Sequence, residues 1–113
     1  MSRAKDITRL SEVAQLMLDH RLGALRSAAA ELERSRMQLA AINAAAAPAD
    51  LPPVAAERVA LQYERWADVR RSELNLVIAR QTVQWMEARG DAQTAFGRLQ
   101  ALQGLADRLK TKR

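Results

Sequence analysis

Apolar residues recur at steps of three and four along nearly the whole chain, and one stretch, AAAAPADLPPVAA at residues 44 to 56, interrupts them. Such steps put side chains on one face of an α-helix, whereas a half-buried strand alternates by two. The first stripe is Ile7, Leu10, Ala14, Leu18, Leu22, Leu25, Ala29, Leu32 and Leu39. It predicts a helix over about 3 to 43. Leu10, Ala14, Leu18 and Leu22 are four apart each time, so the left-handed twist of a heptad coil should relax locally, with a stutter near Asp19. Arg36 falls on the stripe and is expected to snorkel outwards along its stem.

Prolines at 48, 52 and 53 forbid a continuous helix through the break. Asp50 can serve as N-cap, because the two prolines after it fall in the first turn, where a missing N–H costs least. The tip is therefore 44–53, and a second helix begins near Leu51 with its body over about 54 to 110. At 1.5 Å per residue it reaches roughly 85 to 90 Å, against roughly 60 Å for the first. From Ile78 it keeps heptad spacing through Gln81, Trp85, Ala88, Ala92, Ala95, Leu99, Leu102, Ala106 and Leu109, with Gln81 the one polar member. The fold class is all-α, a long antiparallel two-helix coiled-coil hairpin, with residues 1–113 as one unit.

Small seam residues let helices approach closely, and the bulky Trp85 then needs a small partner. Ala14 suits it if partner numbers sum to about 98, a register that also sets Trp66 near Leu32, both tryptophans in the core. Residues beyond about Ala95 would then lie opposite nothing. This overhang, AFGRLQALQGLADRLKTKR, carries Leu99, Leu102, Leu105 and Leu109 beside Arg98, Arg108, Lys110, Lys112 and Arg113. Another surface or self-association would have to cover the leucines; the basic final turn also suits a helix C-terminus.

A second irregularity lies on the outward face. Counting sevens from Val69 gives Leu76, Val83, Gly90, Gly97 and Gly104, so a line that solvent should keep polar is apolar three times and glycine three times. Each glycine costs about 1 kcal/mol relative to alanine in a helix interior. Val69, Leu76 and Val83 read as a docking patch for a partner or as a homo-oligomer interface. The glycines allow close approach or bending.

The length suits one domain, yet two helices cannot enclose a globular core, so stability has to come from a seam. A net charge of +5 leans towards acidic partners, but acids and bases are interspersed. Asp6/Arg9, Glu31/Arg34, Glu33/Arg36, Asp68/Arg71 and Asp107/Lys110 are spaced for i,i+3 contact. Without cysteine there is no disulfide or thiolate chemistry, which fits a cytoplasmic chain. The N-terminus MSRAKDITRL has no signal-like apolar run, and no segment is long and apolar enough to insert into a bilayer.

Catalytic chemistry is not expected. His20 is the one histidine and Asp19 points elsewhere on the helix, so neither a metal cluster nor a His-based triad can form. With no strand there is no phosphate loop, and scattered carboxylates on two helices have no dry cleft to separate their pKa values. No cofactor, metal or small-molecule substrate is called for. Nucleic acid is not an expected partner either, because zinc ligands, stacking aromatics and a zipper-borne basic region are missing and Arg70 and Arg71 face different ways.

An Ala/Arg-rich hairpin with both termini at one basic end, a longer second helix and a Pro-containing tip resembles the FliJ/YscO family, the central stalk of flagellar and type III export ATPases. The segment AFGRLQALQGLADRLKTKR in particular is similar to small FliJ-like chains. The resemblance covers the whole chain as architecture. It implies a non-enzymatic stalk whose paired ends insert into a hexameric export ATPase, with Arg3, Lys5, Arg98, Arg108, Lys110, Lys112 and Arg113 meeting acidic loops of the ring. Val69, Leu76 and Val83 would contact the export gate component, and chaperones are further partners. The location implied is the cytoplasm, peripheral to the inner membrane through the export apparatus. The alternative is a helical export chaperone or dimeric coiled-coil adaptor. A working stalk is a monomer that raises ATP turnover; an adaptor dimerises and leaves turnover unchanged.

Overall fold

The computed structural model describes residues 3–45 and 51–111, and the expected cap Asp50 lies outside them. The fold is all-α, a helical hairpin. Helix α1 runs Arg3–Ala44 and helix α2 runs Pro53–Thr111. Pro53 occupies the first helical position, where its fixed φ helps and its missing N–H is not needed. The Ala56 N–H donates to the Pro52 carbonyl at 2.8 Å, the first i→i−4 bond of α2, which makes Pro52 its N-cap residue. Arg108 and Lys110 lie in the last turn of α2, where cations offset exposed carbonyls.

The hairpin divides into two compact units, one formed by Met1–Ala29 with Gln84–Arg113 and the other by Ala30–Val83. In the terminal unit the core is Ala14, Leu18, Ala95 and Leu99, with Leu22 and Leu102 packed against it. Every heptad position expected of α2 here, from Trp85 to Leu109, is buried or half-buried. The register, however, is not the one expected. Leu18 shares a cluster with Ala95, and Arg21 reaches Asp91 at 3.5 Å, so partner numbers sum to about 112 instead of 98.

That shift of two heptads preserves the phase of α2 and changes every partner. Ala14 packs with Ala95 and Leu99, not with Trp85. The supposed overhang is paired: Leu99 is buried, and Leu102 and Leu109 are half-buried. Leucines are better covered by a facing helix than left in water, at about 1.5 to 3 kcal/mol for each full burial. On α1 the stripe also moves at one point, because Leu10 is exposed and Ser11 is half-buried in its place. Steps of four persist at Ala14, Leu18 and Leu22, so the stutter near Asp19 stands in this narrower form.

The second unit is built on Ile42, Ala67 and Leu74, with Leu39 and Tyr63 against them. Here the small residue takes the seam and the large one is turned out. Ala67 is fully buried while Trp66 is 54% exposed, so Trp66 is not a core residue; its ring rests against Tyr63, centroids 5.6 Å apart. On α1, Ser35 is buried and Arg36 exposed, so no snorkelling is needed. The end of α1 has no basic residue in its last turn. The Tyr63 hydroxyl, reaching across from α2, donates to the Ile42 carbonyl at 3.0 Å and satisfies one of the acceptors a helix end leaves open.

Candidate interaction surfaces

Two sets of residues were expected to meet partners, and the structure places them in different units. The cations come first. With the register found in the terminal unit, Arg3 and Lys5 stand level with Arg108 and Lys110, and all four are exposed. Arg98 is exposed too but comes level with Ala14, ten residues from Arg108 or about 15 Å along the helix. Lys112 and Arg113 lie outside the described residues. Around the described end, Arg3, Lys5, Arg9, Arg108 and Lys110 face Asp6, Glu12 and Asp107, which leaves it mildly basic.

The second set is the docking patch. Val69, Leu76 and Val83 are 61, 62 and 54% exposed, all in the second unit and on the face of α2 away from the seam. Ala79 and Trp66, also exposed, stand beside them at helical spacing. In the same heptad line of the terminal unit, Gly90, Gly97 and Gly104 are exposed. No described glycine adopts a positive φ, so backbone freedom does not explain them. A Cβ added at any of the three would meet nothing within 4 Å. What these glycines supply is an open notch.

Comparison with known proteins gives no family model, curated protein or solved structure that matches this chain. The functional reading therefore rests on the surfaces themselves.

Polar contacts along the seam are structural. Arg71 takes a seam position: its Nε donates to Asn43 Oδ1 at 2.9 Å, and its Nη1 reaches Asp68 at 2.9 Å and Glu64 at 3.4 Å. Arg70 reaches Glu73 at 3.0 Å and Gln38 at 3.5 Å. With both guanidiniums engaged across the helix pair, neither projects as a phosphate clamp. Of the five i,i+3 pairs expected, Asp68/Arg71 alone closes among the described residues. Exposed pairs of this kind contribute about 0 to 1 kcal/mol, so little stability depends on the others.

Sequence reasoning missed three things here. Counting back from Ile78 puts Leu74, Arg71 and Ala67 on the seam, and that count would have turned Trp66 outwards. A second exposed apolar group, Leu10, Val13, Leu16 and Met17 on α1, was hidden because Leu10 had been assigned to the stripe. Trp85 keeps its seam position but is half-buried instead of in the core as expected, and the Arg89 guanidinium lies 5.6 Å from its ring centroid, a cation–π contact that i,i+4 spacing signals. Among the described residues no group of His, Asp and Glu could hold a metal ion, and no helix is long and apolar enough to cross a membrane.

Proposed function

We propose that this chain is a non-enzymatic coiled-coil stalk of a flagellar or type III protein export ATPase complex, acting in the cytoplasm at the inner-membrane export apparatus. The observation that carries the reading is the shared end of the terminal unit, where Arg3, Lys5, Arg108 and Lys110 come together and where, among the described residues, no acid is bonded to Arg3, Arg108 or Lys110. A mildly basic end on paired helices suits a ring of acidic loops that must hold it without locking it, since exposed charge pairs are weak and exchange readily. Arg98 contributes at the rim of that contact, and Lys112 and Arg113 extend the cationic set in sequence. The exposed line of Val69, Leu76 and Val83 supplies the contact with the gate component.

Its test is ATP hydrolysis by a purified flagellar or type III export ATPase from the organism that makes this chain. Adding the chain should raise turnover, and Arg108→Glu with Lys110→Glu should abolish the rise while helicity is unchanged. Unaltered stimulation by the charge-reversed variant would remove the basic end from the mechanism. The same line of glycines and apolar residues also favours a second reading, a dimeric adaptor or export chaperone. In that case the chain self-associates and turnover is unaffected.

A further inference from the structure

The seam of the terminal unit has two edges, and they differ. The ion pair of Arg21 with Asp91, 3.5 Å across the seam, marks one of them. On α1, Met17 and Leu10 lie one and three turns from Arg21 along that edge; on α2, Arg98 and Leu105 lie two and four turns from Asp91. Val13 and Leu16 continue the surface outwards at steps of three from Leu10. The five apolar side chains are 44 to 68% exposed, and all belong to the terminal unit. We infer that this edge receives an amphipathic helix of a partner protein, apolar along one stripe and acidic on its flanks.

Shape points to a helix. A two-helix coil that stays bare keeps the positions beside its seam polar or charged. The opposite edge does so at Thr8, Gln15, Arg89, Gln103 and Lys110, with Phe96 the exception, whereas this edge is apolar on both helices. Leu10 and Leu105 stand on either side of the seam within about a turn of the same level, so the surface between them is the hollow between two packed helices. A third helix with apolar residues at i, i+3, i+4 and i+7 fits such a hollow, and a flat lipid surface does not.

Charge selects the flanks. Arg3 and Arg9 on α1 and Arg98 and Arg108 on α2 stand within two turns of these apolar side chains, and none is bonded to an acid among the described residues. Asp6 is the one acid standing among them. Asp91 is engaged by Arg21; Glu12 and Asp19 lie behind Leu16 towards the opposite edge, where Asp19 accepts from Gln15 at 3.0 Å, and Asp107 lies on that opposite edge. Four guanidiniums against Asp6 favour carboxylates, which arginine holds in a forked pair. A second copy presenting the same edge would set cation against cation. The contact is short, two turns of α1, and suits a reversible partner of micromolar affinity. The inference is independent of the stalk reading, since ATP turnover with Arg108→Glu and Lys110→Glu and peptide binding through Val13 and Leu16 are read separately.

The experiment is fluorescence anisotropy of two labelled helical peptides of about five turns, titrated with the full chain at low ionic strength. Both carry leucine at i, i+3, i+4 and i+7; one has glutamate on both flanks and its twin has lysine. The glutamate peptide should bind in the micromolar range, about ten-fold or more tighter than its twin. Val13→Ser with Leu16→Ser, both exposed and therefore not needed for folding, should weaken it about ten-fold with helicity unchanged. Arg9→Glu with Arg98→Glu should move the preference to the lysine peptide. No binding up to millimolar chain, equal binding of the twins, or a glutamate preference untouched by both double variants would overturn the inference. So would a chain whose Val13 and Leu16 serve only to bind phosphatidylglycerol vesicles or a second copy.

Discussion

Leu99→Ala separates the two registers more sharply than any other single change. If partner numbers summed to 98, Leu99 would lie on an unpaired overhang and its truncation would cost almost nothing. In the observed pairing it is 6% exposed, in one cluster with Ala14, Leu18 and Ala95. Losing that burial costs about 1.5 to 3 kcal/mol in transfer free energy. The void left behind opens to solvent at the edge of a two-helix seam, so water fills it and the added cavity term stays small. The expected total is about 2 kcal/mol, at the low end for leucine truncation in cores. With an m-value of about 2 kcal/mol/M, the urea midpoint followed by circular dichroism at 222 nm should fall by about 1 M. Leu105→Ala is the control, because Leu105 belongs to the same C-terminal segment but is 45% exposed. Its midpoint should move by no more than about 0.25 M, a surface-sized effect. Equal shifts for both variants would refute the register and return Leu99 to the solvent.

Two further outcomes follow from the second unit and from the tryptophans. Tyr63→Phe removes the donor to the Ile42 carbonyl and should cost about 1 kcal/mol in the same urea titration; no change would mean that water satisfies that helix end equally well. Acrylamide should quench the Trp85→Phe variant, which retains exposed Trp66, more strongly than Trp66→Phe, which retains half-buried Trp85. Equal or inverted quenching would contradict the assignment of Ala67 to the seam.

Helix ends and the phase of α2 were readable because local chemistry fixes them. The prolines at 52 and 53 bound α2 from one side, and the heptad from Ile78 repeats without interruption to Leu109. Register was not readable, because a shift by whole heptads returns apolar residues to apolar residues. Both sums, near 98 and near 112, keep leucines and alanines on the seam. The larger sum buries Leu99 and covers Leu102, and that non-local gain cannot be seen by matching Trp85 to one small residue. Trp66 was misplaced for a related reason. A tryptophan close to the seam phase looks like core, but its neighbour Ala67 lies closer to that phase and allows the helices to approach, so the indole is left outside against Tyr63. The outward line of Val69, Leu76 and Val83 was legible from spacing alone. What covers it was not, since one chain records only its own half of an interface.

The shared basic end depends on which residues of α1 face which residues of α2, and the absence of native cysteine makes that pairing directly measurable by engineered disulfides. Leu18→Cys with Ala95→Cys places two thiols in one buried cluster, whereas Ala14→Cys with Trp85→Cys tests the register two heptads away. Under mild oxidation at low protein concentration, the first pair should close within one chain, detected as faster migration on a denaturing gel that reverts on reduction, and the second should not. Closure of the second pair with none in the first would contradict the register, and with it the shared basic end formed by Arg3, Lys5, Arg108 and Lys110.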